Sequence, residues 1–131
     1  MCIRDSNCNV DNISSGGCGI GIDLQTGKLK KYGYGLVQTC GVEIFTEHPV
    51  SKTRFENFTI PFFNQVKELV VEAAGLVPSI RLVGWDVAIG ESEPFLIEGN
   101  SDYDTSGNDL VDEGYLSNTV YRKVLQEFNY L

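Results

Sequence analysis

The chain has 131 residues, the length of one small domain. Its 42% hydrophobic and 21% charged residues are the composition of a globular core former, which excludes the disordered, collagenous and coiled-coil classes. The net charge is −8, no Lys/Arg run exceeds Lys30-Lys31, and apolar runs such as Leu69-Val70-Val71 fall far short of the roughly 20 residues that cross a bilayer. Neither a nucleic acid nor a membrane is therefore an expected partner, and a soluble, cytoplasmic protein is expected.

Met1 to Ser6 spell the residues encoded by the transposon end used in common sequencing-library adapters. They are expected to be non-native and to pack against nothing, with native sequence starting near Asn7. Without Cys2, the cysteines Cys8, Cys18 and Cys40 form an odd set lacking CxxC spacing. That pattern suits buried reduced thiols rather than a disulfide framework or a zinc site.

Small and apolar residues alternate from Cys18 to Ile22, and Asp23 to Lys28 reads as a turn in which Gly27 supplies a positive φ. Leu29 to Val37 returns as the second strand of a hairpin. Val42 to Phe45 is another short strand, followed by a loop at His48-Pro49. A helix is predicted from Pro61 as its first residue, with Phe62, Val66, Leu69, Val70 and Ala73 on one face, Gly75 just past its end and Pro78 blocking resumption. Ile80 to Ile89 and Pro94 to Asn100 read as two strands joined by Gly90-Glu91-Ser92-Glu93. Ser101 to Glu113 is too rich in Asp, Ser and Gly for regular structure. Val120, Tyr121, Val124, Leu125 and Phe128 share the face of a second helix. The order of elements predicts an α+β fold with a mainly antiparallel sheet and two amphipathic helices.

The second hairpin carries the chemistry. If Ile89 pairs with Phe95, Asp86 lies directly opposite Glu98, and alternation places Leu82, Gly84, Asp86, Ala88, Leu96, Glu98 and Asn100 on one face. Val83, Trp85, Val87, Ile89, Phe95 and Ile97 then form an apolar face, with Trp85 and Ile97 buried. Two opposed carboxylates repel unless a cation lies between them, and hard oxygen donors without His or Cys select Mg²⁺ or Mn²⁺. Solvated surface carboxylates are the competing reading, and slipping the register by one residue would separate Asp86 from Glu98. Upstream, Asn12-Ile13-Ser14-Ser15-Gly16-Gly17 lets backbone N–H groups approach a phosphate or carboxylate closely, or else forms a plain glycine turn.

The segment Gly84-Trp85-Asp86-Val87-Ala88-Ile89 through Leu96-Ile97-Glu98-Gly99-Asn100 resembles the metal-binding hairpin of ATP-grasp enzymes, in particular the sugar-transfer-associated group related to α-L-glutamate ligases. Val10-Asp11-Asn12 with Gly16-Gly17, Ile22-Asp23 with Thr26-Gly27-Lys28, His48-Pro49 and Ile60-Pro61 are similar to that group's other signposts. The resemblance implies that Asp86, Glu98 and Asn100 hold Mg²⁺ (or Mn²⁺), that Asn12, Gly16, Gly17 and Leu96 bind ATP, and that residues 7–131 form a partial ATP-grasp domain, its C-terminal lobe. It also implies an enzyme that activates a small-molecule carboxylate as an acyl phosphate for attack by an amine or other nucleophile, in cell-surface polysaccharide or sugar-linked biosynthesis. The fragment by itself is expected to be inactive, because ATP-grasp folds clamp ATP between two lobes. Several ligase subfamilies carry Arg two residues before the metal Asp, where this chain has Gly84.

No catalytic residue is assigned. His48, the sole histidine, is the remaining candidate for a general base, although a loop His-Pro without an adjacent acid dyad favours a capping role. Asp102-x-Asp104-x-Ser106-Gly107 with Glu113 has the spacing of a calcium loop, but a strand precedes it and Asp109 stands where such loops carry an apolar residue, which favours a solvated linker. Two other functions compete: a non-catalytic binding module, and a glycosidase using Asp86 and Glu98 as an acid/base pair, in which Asn100 would have no role.

Overall fold

The structure, a computed structural model, describes residues 2–3, 17–36, 41–103, 105–111, 114–129 and 131. The chain divides into two compact units, Met1–Thr59 with Thr105–Leu131, and Ile60–Asp104. The class is α+β with antiparallel sheets, as the pattern of elements predicts.

The first unit is built on a four-stranded antiparallel sheet in the order β1 (Cys2–Ile3), β2 (Cys18–Ile22), β3 (Leu29–Leu36), β4 (Val42–Phe45). Cys2 and Ile3 pair with Gly19 and Cys18. The expectation that residues 1–6 pack against nothing therefore fails at these two positions, because backbone pairing at a sheet edge accepts any extended dipeptide. Cys18 and Ile20 point from β2 into the core with Leu29 and Phe55, all buried, and Val111 is also buried. The Cys18 thiol is buried, as expected. Gly21 of β2 is a glycine for a reason of space. A Cβ on Gly21 would lie 2.7 Å from the Val111 carbonyl oxygen and 2.7 Å from the Lys30 Cδ.

That carbonyl belongs to α2 (Ser106–Val111), a short helix packed on β2 and β3. It replaces the irregular linker expected over Ser101 to Glu113. Local composition disfavours a helix here, but burial of Val111 and the 3.2 Å bond from Lys30 Nζ to its carbonyl supply tertiary support that propensity does not register. A 3₁₀ turn (Tyr115–Ser117) leads into α3 (Thr119–Glu127). Asn118 caps α3, its side-chain oxygen accepting from the N–H groups of Val120 at 3.0 Å and Tyr121 at 3.1 Å. Tyr121, Val124 and Leu125 are half-buried, whereas Val120 and Phe128 are exposed.

The second unit contains α1 (Phe63–Leu76) and the hairpin β5 (Gly84–Ile89) and β6 (Pro94–Asn100), with α1 packed on β6. The predicted apolar stripe of α1 is half-buried, but both predicted ends shift. Pro61 lies before the helix, because Phe62 occupies the N-cap in a left-handed conformation with φ 57°. Gly75 lies inside the helix, which ends at Leu76; Val77, restricted by the following Pro78, leaves helical geometry with φ −128°. Residues 80–83 precede β5 rather than extending it.

Trp85 faces Gly99 across the hairpin, and a Cβ on Gly99 would clash with the Trp85 ring at Cζ3 and Cε3. Trp85 is the sole tryptophan. Gly99→Ala is expected to displace the indole and destabilise this unit by about 1–3 kcal/mol, the usual cost of overpacking. Denaturant unfolding followed by Trp85 emission measures the loss.

The turn between β2 and β3 is held by Asp23, whose carboxylate accepts from the N–H groups of Gln25 at 2.8 Å and Thr26 at 2.9 Å, while Gly27 takes the predicted positive φ of 72°. The Thr26 and Gln25 backbone bonds hold the Asp23 carboxyl below its ordinary value. A depressed folded-state pKa gives a contribution that is present above the unfolded-state value and lost as pH falls through the folded-state value. Amide exchange at Gln25 and Thr26 is expected to accelerate across that acid window, and Asp23→Asn is expected to abolish this pH dependence.

Candidate functional site

The hairpin brings Asp86 and Glu98 together by an irregular route. Ile89 pairs with Pro94, not Phe95, and the same offset continues through Ala88 with Phe95 and Val87 with Leu96. Carried further, it would have set Asp86 opposite Ile97. A bulge between Asp86 and Val87 intervenes, with Ile97 as the extra residue of β6, and beyond it Asp86 pairs with Glu98, Trp85 with Gly99 and Gly84 with Asn100. Directly opposed residues have Cβ atoms about 5 Å apart. Asn100 joins the set, its Nδ2 donating to Glu98 Oε1 at 3.1 Å. Asp86 and Glu98 are exposed and Asn100 is half-buried.

The bulge also corrects the expected faces. Leu96 stands opposite half-buried Val87, on the side away from Asp86, and Phe95 stands opposite exposed Ala88, on the carboxylate side. Ile97 is 65% exposed rather than buried, because the bulge lifts it out of the alternation. Trp85 lies on the face away from the carboxylates, as expected, but is half-buried rather than buried.

Tyr103 is a neighbour that sequence reasoning missed. A Cβ on Gly84 would lie 2.8 Å from Tyr103 Cγ, so the tyrosine lies against the end of the hairpin where Gly84 pairs with Asn100. The only advance signal was the glycine itself, whose missing side chain leaves room for the Tyr103 ring.

Two carboxylates and an amide oxygen form an all-oxygen donor set, which suits a hard divalent cation such as Mg²⁺ or Mn²⁺. Among the described residues no group of three or more His, Cys, Asp or Glu side chains is placed to hold a metal. The hairpin offers two acidic ligands, and Mg²⁺ commonly takes one or two carboxylates with the remaining positions from water and phosphate.

Asn12 and Gly16 lie outside the described residues, and Gly17 is buried just before β2. Of the calcium-loop spacing, Asp104 and Glu113 lie outside the described residues, while Ser106 and Gly107 are wound into α2. Among the described residues no helix is long and apolar enough to cross a membrane.

His48 is buried, with 4% of its surface exposed, and organises its own loop. Its Nδ1 accepts from the N–H groups of Val50 at 3.3 Å and Ser51 at 3.0 Å, its carbonyl accepts from Lys52, and its N–H donates to Thr53. Lys52 closes the turn with φ 57°. His48→Ala is expected to cost about 2–4 kcal/mol by leaving a cavity and stripping two N–H groups of their acceptor, and urea unfolding measures it.

A family model described as sugar-transfer associated ATP-grasp matches residues 2–124. No curated protein and no solved structure matches the chain. The match covers both the opposed carboxylates and the loop of His48, and it shows that the chain belongs to the sugar-transfer-associated ATP-grasp family.

Proposed function

We propose that this chain is the C-terminal lobe of an ATP-grasp ligase-like enzyme of the cytoplasm, and that Asp86, Glu98 and Asn100 form its Mg²⁺ (or Mn²⁺) site for ATP. The observation that carries this reading is the bulge-corrected register, which sets Asp86 opposite Glu98 and leaves Asn100 bonded to Glu98 at 3.1 Å. A divalent ion bound there would neutralise the β- and γ-phosphates as the γ-phosphoryl group passes to a carboxylate substrate.

The residues of the chain supply position and charge. Asp86 and Glu98 give two negative ligands from adjacent strands, and the Asn100 amide fixes the Glu98 carboxylate while keeping its own oxygen for a ligand. Asn12, Gly16 and Gly17 would present backbone N–H groups to a phosphate. Leu96, on the far side of the sheet from Asp86, would serve the nucleotide through packing that holds the strand rather than through direct contact on the carboxylate face. The acyl phosphate would then be open to an amine or other nucleophile, which displaces inorganic phosphate, and the family's sugar-transfer association suits a role in cell-surface polysaccharide or sugar-linked biosynthesis.

Mn²⁺ titration followed by paramagnetic broadening of amide resonances tests the site. Broadening is expected at Asp86, Glu98 and Asn100, with reversal by excess Mg²⁺. Glu98→Gln keeps shape but removes one charge and is expected to abolish the effect, whereas Glu91→Gln in the hairpin loop changes the net charge equally and is expected to leave it intact. In a longer protein that turns over ATP, Glu98→Gln is expected to cost about 3 kcal/mol, roughly a hundredfold in rate. Equal broadening in the two variants would leave Asp86 and Glu98 as a solvated pair and the chain as a binding module.

A further inference from the structure

The loop of His48 does more than turn the chain. Leu29, His48, Ser51, Thr53, Phe55 and Phe58 line a pocket of about 110 Å³. Leu29 and Phe55 are core residues, so the floor of this pocket is rigid. The two bonds from Val50 and Ser51 commit Nδ1 as an acceptor, which places the proton of the neutral ring on Nε2. Among the described residues Nε2 has no recorded partner, yet no buried side-chain nitrogen or oxygen lacks one. Nε2–H therefore retains access to solvent, and His48 is one of the residues that line the pocket.

The Ser51 and Thr53 side chains of the lining bond to each other. Ser51 Oγ donates to Thr53 Oγ1 at 3.0 Å and accepts from the Thr53 N–H at 3.4 Å. Among the described residues no lysine or arginine lines the pocket. A phosphate or carboxylate would find no counter-charge there and would be desolvated against Phe55, Phe58 and Leu29. The volume is smaller than the roughly 150 Å³ cavity that accepts a benzene ring, so the occupant is a compact group.

We propose that this pocket is a binding site for a small uncharged group with an apolar body and one hydrogen-bond acceptor, a carbonyl, ether or unprotonated ring nitrogen, that receives the His48 Nε2–H. None of its lining residues belongs to the carboxylate hairpin, and the proposal stands whether or not that hairpin holds a metal. His48 then has two functions on its two ring nitrogens: Nδ1 builds the loop, and Nε2 reads the ligand.

Cyclopentanone is a suitable probe, being uncharged, compact and acceptor-only. Titrated into the 131-residue chain and followed by ¹H–¹⁵N spectra, it is expected to give saturable shifts at the His48 Nε2–H and at the amides of Ser51, Thr53, Phe55 and Phe58, with a Kd in the millimolar range. His48→Asn keeps an acceptor where Nδ1 stood and removes the Nε2 donor. Affinity is expected to fall about fivefold to tenfold while the Val50 and Ser51 amides keep their positions. Inorganic phosphate is expected to shift none of these resonances. Equal affinity in the His48→Asn variant, saturable phosphate binding at the same residues, or no shift up to the solubility limit of the ketone would each overturn the proposal. Should the variant fail to fold, the Nε2–H resonance of the unaltered protein still decides. A bound acceptor moves it downfield and slows its exchange, and failure to move it refutes the assignment.

Discussion

Two like charges set directly opposite each other on adjacent strands are unfavourable, and the hairpin reaches that arrangement only by departing from regular pairing. From the loop side the strands run in a register that would have separated Asp86 from Glu98. One extra residue, Ile97, resets it, at the expense of exposing an isoleucine. Bulges of this kind re-aim side chains next to sites of binding and reaction. The neighbours of the carboxylates follow from the same reset: Trp85 comes to lie across from Gly99, and Gly84 across from Asn100, with Tyr103 against that end.

The glycines of the hairpin serve the site by being small. Gly99 leaves room for the Trp85 ring on one face, and Gly84 leaves room for Tyr103 on the other. Two aromatic rings thus brace the same pair of strands from opposite sides. The Asn100 amide adds the last restraint on Glu98. Rigid support matters for a metal site because ligand positions, rather than ligand identities alone, set affinity and geometry.

Strand alternation and turn chemistry were enough to read β2, the Asp23 to Lys28 turn and β4 from the residues alone. These features depend on short-range rules: a period of two, an Asp that caps its own turn, a glycine with positive φ. The pairing of Asp86 with Glu98 was reached from a loop register that the structure does not have, and it holds only because the bulge makes up the difference. The bulge was not legible, since nothing in Leu96-Ile97-Glu98 distinguishes an inserted residue from a regular one, and this is why Phe95 and Leu96 exchanged faces. The start of α1 shifted because Phe62 accepts a left-handed conformation that no local rule favours for a bulky residue. Helix α2 escaped notice because its support is tertiary. His48 could be read as a capping residue, but its second nitrogen acquired meaning only when Phe55 and Phe58 were seen to wall the space around it.

The order of residues along the chain also divides the labour of folding. The unit Ile60–Asp104 is one continuous stretch, and its hairpin closes around the four residues Gly90 to Glu93. The other unit must unite β2 and β3 with α2 from beyond that stretch, and the bond from Lys30 to Val111 joins residues 81 apart in sequence. Loop-closure entropy and contact order both favour the local pairing as the faster event. The opposed carboxylates are therefore assembled by local pairing, while the packing of α2 on β2 and β3 waits for the chain to come back.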